Sequence, residues 1–96
     1  MAVAVKPLIL LVEDEPAQRD VIAYNLAAEG YQVAEAGDGE EAMLLVAENP
    51  PDLVILDWMM PNLSGIEVCR RLKSNPDTRA IPVIMLSARL DVPDRV

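Results

Sequence analysis

Hydrophobic residues come in two textures along this chain. Three runs are apolar without interruption: Leu8-Ile9-Leu10-Leu11-Val12, Leu53-Val54-Ile55-Leu56 and Val83-Ile84-Met85-Leu86. Unbroken, largely branched runs of this length predict strands buried on both faces, as in parallel sheets. A fourth stretch, Gln32-Val33-Ala34-Glu35-Ala36, alternates polar and apolar and predicts a less buried strand at a sheet edge. Between these runs the apolar spacing is helical. Val21, Ile22, Leu26 and Ala27 give a stripe to a helix opening at Pro16, where a missing N–H costs nothing, and Gly30 suits its end. Asp38-Gly39 predicts a turn into a second helix over Glu40 to Val46, closed by Asn49-Pro50-Pro51. A third is capped by Ser64, with Glu67 completing a capping box. Ile66, Val68, Cys69 and Leu72 face inward, and Arg70, Arg71 and Lys73 load its last turns. Asn75-Pro76-Asp77 is a loop, and Asp91 to Val96 reads as the first turn of a further helix.

The order β-α-β-α-β-α-β predicts a single α/β domain over residues 1–96 with a doubly wound parallel sheet. Polar chemistry gathers where the apolar runs stop: Glu13-Asp14 after the first, Asp57 after the second, Ser87 after the last. Pro61, Asn62 and Gly65 supply the turn behind Asp57. Ligands of such sheets bind at the carboxyl ends of the strands, so Asp57 is expected to be presented there rather than buried. If Glu13, Asp14 and Asp57 act on one ligand, the first and third strands are neighbours. The strand order is then 2-1-3-4, the flavodoxin-like and CheY-like arrangement, with the switch point between strands one and three. Right-handed crossovers place the first helix on one face and the next two on the other. That leaves strands three and four bare on the first helix's face.

Composition removes several classes of function. A formal net charge of −8 with no histidine argues against a nucleic-acid surface and against a zinc-type ligand set. The single Cys69 excludes an internal disulfide and is read as core packing. Met1 to Lys6 lacks the basic start of a signal peptide and no segment is long enough to span a membrane, so a cytoplasmic location without membrane contact is expected.

Three carboxylates converging on one site repel one another unless a cation lies among them. Oxygen-only ligands with room for water point to Mg²⁺, for which Mn²⁺ can substitute. A carboxylate beside such an ion can attack phosphorus and form an aspartyl phosphate, and a hydroxyl from Ser87 can bond a phosphoryl oxygen. Taken singly, Glu13-Asp14 is a solvated strand end, Asp57 a turn residue, and Ser87 the start of a turn. Their recurrence at successive strand ends of one sheet is what points to chemistry. Trp58 reads as a partly exposed neighbour of the site.

Leu10-Leu11-Val12-Glu13-Asp14-Glu15, Asp57-Trp58-Met59-Met60-Pro61 with Gly65, and Leu86-Ser87-Ala88-Arg89 together resemble the receiver domains of two-component response regulators. The resemblance runs from about Leu8 to Val96. The Asp-Trp-Met-x-Pro wording is similar to phosphate-regulon regulators, whose receivers precede a winged-helix DNA-binding domain. The resemblance implies that Asp57 is the phosphoacceptor. It implies that Asp14 and Asp57 ligate Mg²⁺ directly, Glu13 mostly through water, and the Met59 main-chain carbonyl as a further ligand. Ser87 matches the switch hydroxyl and Ala88 the small residue that lets the phosphoryl group approach.

It further implies a sensor histidine kinase as partner, transcription as the output, no nucleic-acid contact by this domain itself, and a phosphoacceptor switch rather than an enzyme. The family's fifth strand, phosphate-binding lysine, aromatic switch position and fifth helix are expected to follow Val96, with Lys6 and Lys73 wrongly placed to replace that lysine. On this reading the chain is an incomplete receiver, expected to form a homodimer through the uncovered edge of strand four or the open sheet face. Two other functions compete. One is a non-phosphorylated interaction or dimerisation module. The other is an aspartyl-phosphate phosphohydrolase, which has a second Asp two residues after the first, where this chain carries Met59.

Overall fold

The computed structural model describes residues 5–60 and 63–86. Strands β1 (Leu8–Val12), β2 (Gln32–Ala36), β3 (Leu53–Asp57) and β4 (Val83–Leu86) alternate with helices α1 (Pro16–Ala28), α2 (Gly39–Glu48) and α3 (Gly65–Ser74). The strands form one all-parallel sheet in the order β2-β1-β3-β4. This is the doubly wound arrangement expected from the strand-end acids.

Successive side chains of a strand point to opposite faces, so an unbroken apolar run feeds two cores at once. Leu10, Val12, Val54 and Leu56 pack with Ala42, Val46, Val68 and Leu72 on the side of α2 and α3. Ile9, Leu11 and Ile55 pack with Ala23 on the side of α1. The alternating β2 lies at one edge, as its pattern predicts, with Gln32 and Glu35 exposed. The bare surface expected across strands three and four falls mainly on β4. Ile84, in register with Ile55 on that face, is 48% exposed, whereas Ile55 is buried alongside Leu11; Met85, 42% exposed, points to the opposite face.

Two helix faces differ from the expected ones. In α1 the inward line runs through Ile22, Ala23 and Leu26, while Val21 is 61% exposed and Ala27 also faces solvent. The small Ala23 permits the closest approach to the sheet and so sets the rotation of the helix. In α3 the buried residues are Gly65, Val68 and Leu72, and Ile66 is exposed. Ser64 caps α3, its Oγ accepting from the Glu67 N–H at 3.2 Å. Only this half of the capping box forms, because Arg70 and Arg71 take the Glu67 carboxylate. Lys73 turns away from the helix end to donate to the Ile81 carbonyl at 2.7 Å.

Gly30 and Gly65 are each required by the backbone. Gly30 ends α1 at φ 96°, in the left-handed region. Gly65 starts α3 hard against the end of β3: a β-carbon there would run into the Asp57 carbonyl oxygen, and the Gly65 N–H donates to the Trp58 carbonyl at 3.1 Å. At the opposite end of the sheet, the Leu8 N–H donates to Asp52 Oδ2 at 2.7 Å while the Asp52 N–H donates to the Leu8 carbonyl at 2.8 Å.

The two glycines give different expectations for alanine. Gly65→Ala forces backbone apart and is expected to cost about 1–3 kcal/mol, the range for overpacking. Gly30→Ala meets open space and suffers only the φ penalty, about 1 kcal/mol. Thermal melting of both variants tests this; a larger loss at Gly30 would contradict it.

Candidate metal centre

The site is assembled by register. Val12 pairs with Leu56, so the residues that follow, Glu13 and Asp57, leave adjacent strands side by side. Strand parity puts Glu13 on the face of Ile9 and Leu11, and Asp57 on the matching face of Leu53 and Ile55. Glu13, Asp14 and Asp57 each offer a carboxylate oxygen, and the three oxygens lie within 4.8 Å of one another.

Asp57 is only 2% exposed, which corrects the expectation that it is presented rather than buried. Its carboxylate is turned toward the acid pair, and the approach of Gly65 and the fold-back of Met59 close the chain around it. The Met59 N–H donates to Asp57 Oδ1 at 3.2 Å. Glu13 is likewise buried, at 3% exposed, with Oε2 accepting from the Glu15 N–H at 3.1 Å. Asp14 is the exposed member and forms the open side of the cluster. Among the described residues, none of the three carboxylates has an ion-pair partner.

Burial with so little countercharge alters the proton affinities. Burial pushes the Glu13 carboxyl up from 4.5 to about 7, opposed by the Glu15 N–H and reinforced by the charges of Asp57 and Asp14. Asp57 is raised as well, chiefly by burial, with the Met59 N–H acting in the opposite sense. An oxygen-only set of three carboxylates, two of them buried and lacking a cation, fits a hard divalent ion such as Mg²⁺ or Mn²⁺. Met59 enters the described geometry through its N–H, its side chain being exposed. Trp58 is 44% exposed beside the site, as expected. Ser87 and Ala88 lie outside the described residues, as do Pro61 and Asn62.

Arg19 and Glu35 join the neighbourhood of the site, and the sequence pattern gave neither a role. Arg19 Nη1 donates to the Glu13 carbonyl at 2.8 Å, and its Nε lies 3.5 Å from Glu35 Oε1 on β2. The signal that could have exposed Arg19 is that it is the only basic residue between Lys6 and Arg70. It also falls in the first turns of the helix that follows the acid pair.

A parallel sheet with order 2-1-3-4 and an acid cluster at its switch point defines the CheY-like class of doubly wound fold. The model of the response regulator receiver domain matches residues 9–96, and the chain belongs to that family. It is 50% identical over 90 residues to the phosphate regulon transcriptional regulatory protein PhoB of Rhizobium meliloti, covering 94% of this chain and 40% of that protein. It thus spans well under half the length of such curated relatives. Among solved structures, the N-terminal domain of a response regulator receiver protein from Methanoculleus marisnigri superposes with a TM-score of 0.84 at 42% identity. That match covers 91% of this chain and 71% of the other. TrrA of Thermotoga maritima, solved in complex with Mg²⁺-BeF, gives a TM-score of 0.82 at 37% identity over 91% of this chain and 73% of TrrA. Receiver domains are the part of two-component systems that sensor histidine kinases phosphorylate. No helix among the described residues is long and apolar enough to cross a membrane.

The raised Glu13 carboxyl has a signed consequence for metal-free protein. Between about 4.5 and about 7 the folded state holds a proton that the unfolded chain has released. Stability therefore falls as pH rises through that window, by on the order of 2 kcal/mol. Melting in a chelator at pH 5 and pH 7.5 is expected to show the higher Tm at pH 5. The difference should shrink with Mg²⁺ and in Glu13→Gln. A Tm that rises with pH in the chelator would contradict this account.

Proposed function

We propose that this chain is the phosphorylatable receiver of a two-component regulator. Asp57 would accept a phosphoryl group from a sensor histidine kinase, and a longer protein would read out the change as transcription. The observation that carries the proposal is the convergence of Glu13, Asp14 and Asp57 within 4.8 Å at the switch point, in a chain of receiver family. The likeness to PhoB supports transcription as the output, and the Mg²⁺-BeF complex of TrrA supports the metal.

In the proposed reaction an Asp57 carboxylate oxygen forms a bond to phosphorus as the bond to the imidazole nitrogen of the donor breaks, the imidazole leaving with the electron pair. The Met59 N–H holds Oδ1, which orients the carboxylate and leaves Oδ2 for attack. Asp14, Asp57 and the Met59 carbonyl would hold Mg²⁺ directly and Glu13 through water; when bound, the ion neutralises charge on the phosphoryl oxygens. Ser87, next in sequence after β4, would offer its hydroxyl to a phosphoryl oxygen, with Ala88 leaving room for the group. The role is that of a switch rather than of an enzyme acting on others, and its place is the cytoplasm. The exposed Ile84 and Met85 on β4 support a homodimer through that edge or the open sheet face, with no direct nucleic-acid contact by this domain.

Incubation with acetyl phosphate and Mg²⁺, read by intact mass, tests the central claim. One phosphoryl adduct is expected, absent in Asp57→Asn and in chelator and released by hydroxylamine. An adduct that persists in Asp57→Asn would place the acceptor elsewhere, and no adduct on folded wild-type chain would favour a non-phosphorylated interaction module. Sedimentation over a range of concentrations should show reversible self-association, weakened by Ile84→Lys; a monomer at every concentration would remove the dimer.

A further inference from the structure

We infer that Arg19 is a positioning residue for the metal site: it holds the Glu13–Asp14 peptide so that the Asp14 carboxylate faces Asp57. This rests on the proposal that the three acids bind Mg²⁺. The acids differ in what restrains them. Glu13 is buried, its N–H donates to the Ala36 carbonyl at 3.0 Å, and its carboxylate takes the Glu15 N–H. Asp57 is buried and takes the Met59 N–H. Asp14 is exposed, and among the described residues no N–H or cationic group holds its carboxylate. Its direction is set by its backbone.

That backbone is gripped at one atom. The Glu13 carbonyl belongs to the peptide joining Glu13 to Asp14, and Arg19 Nη1 donates to it at 2.8 Å. A peptide unit is planar, so fixing its carbonyl fixes the direction in which the Asp14 Cα leaves. Arg19 is itself braced. Its side chain is only 22% exposed, and its Nε faces Glu35 Oε1, on the strand where Leu11 pairs with Glu35. The guanidinium also lies over Gly37, where a β-carbon would stand 3.3 Å from Nη1. The flat, forked guanidinium spans carbonyl and carboxylate together, which a single ammonium does less well. Arg19 thereby ties α1, the end of β1 and β2 into one frame around the acid pair.

Charge and geometry make opposite predictions for this residue. As a cation near a cation site, Arg19 opposes Mg²⁺ by simple Coulomb repulsion, so its loss would tighten binding. As a positioning residue it favours Mg²⁺, so its loss weakens binding. Mg²⁺ titration followed by Trp58 emission, at constant ionic strength, reads the sign. Arg19→Gln is expected to raise the Kd about tenfold, the low end for residues that orient metal ligands. Arg19→Lys keeps the charge and should still bind more weakly than wild type. Glu35→Gln should weaken binding by a smaller factor, and the double variant should be no worse than Arg19→Gln alone, as expected for one shared contact. Hydrogen exchange at the Glu15 amide, measured without metal, should speed up in Arg19→Gln. Unchanged or tighter binding in Arg19→Gln, in a chain whose circular dichroism matches wild type, would overturn the role while leaving the metal site intact. A wild-type chain with no saturable response, or one unaffected by Asp57→Asn, would remove the metal reading itself and this role with it.

Discussion

Mutual repulsion among three carboxylates is the constraint on which the rest of the structure turns. Glu13 and Asp57 are almost fully removed from water, within 4.8 Å of each other and of Asp14. Nothing in the cluster itself favours this. The free energy that holds it comes from the residues just upstream. Leu10, Leu11 and Val12 lead into the acid pair, Val54 and Leu56 lead into Asp57, and each of these is at most 1% exposed. Each such side chain contributes roughly 1.5–3 kcal/mol of burial, enough in sum to force the acids together. The site is thus an unfavourable arrangement held at the end of a favourable one, and its affinity for a cation is the direct result.

The main chain then determines how far each acid can relax. One amide, from Met59, limits Asp57; another, from Glu15, limits Glu13. Gly65 lets α3 begin hard against the Asp57 carbonyl at the end of β3. On the other side, Arg19 and Glu35 brace the loop after β1. Strand ends give the position of the site, and these few polar contacts give its shape. The proposed metal binding rests on both, since the same acids on splayed loops would have the sequence of a site without its geometry.

Most of the fold could be read from texture. The run Leu8 to Val12 became β1 residue for residue, because a strand covered on both faces has no polar position to blur its ends. The strand order followed from the assumption that the acids share a ligand, an argument from chemistry rather than from propensity. Helix faces were less legible. Apolar residues recur so densely in α1 that several stripes fit, and the small Ala23 decides among them; Gly65 does the same for α3 at the expense of Ile66. Asp57 looked presented because sequence records that a strand has ended, not how tightly the following loop closes. Arg19 and Glu35 went unassigned because their meeting depends on α1 lying across β2, a tertiary fact with no local pattern.

An unbroken apolar strand has one further property: it is blind to its own phase. Leu8 to Val12 shifted by one residue would be equally hydrophobic on both faces, so core burial alone scarcely distinguishes the correct alignment from its neighbour. Such a slip would nevertheless turn Glu13 to the far side of the sheet, away from Asp57. The two hydrogen bonds between Leu8 and Asp52 resist a slip in one direction, because Pro7 in the place of Leu8 has no N–H to offer the Asp52 carboxylate. Asp52 is a timing mark on that side of the alignment: a carboxylate at the silent end of the sheet helps keep the reactive end in step.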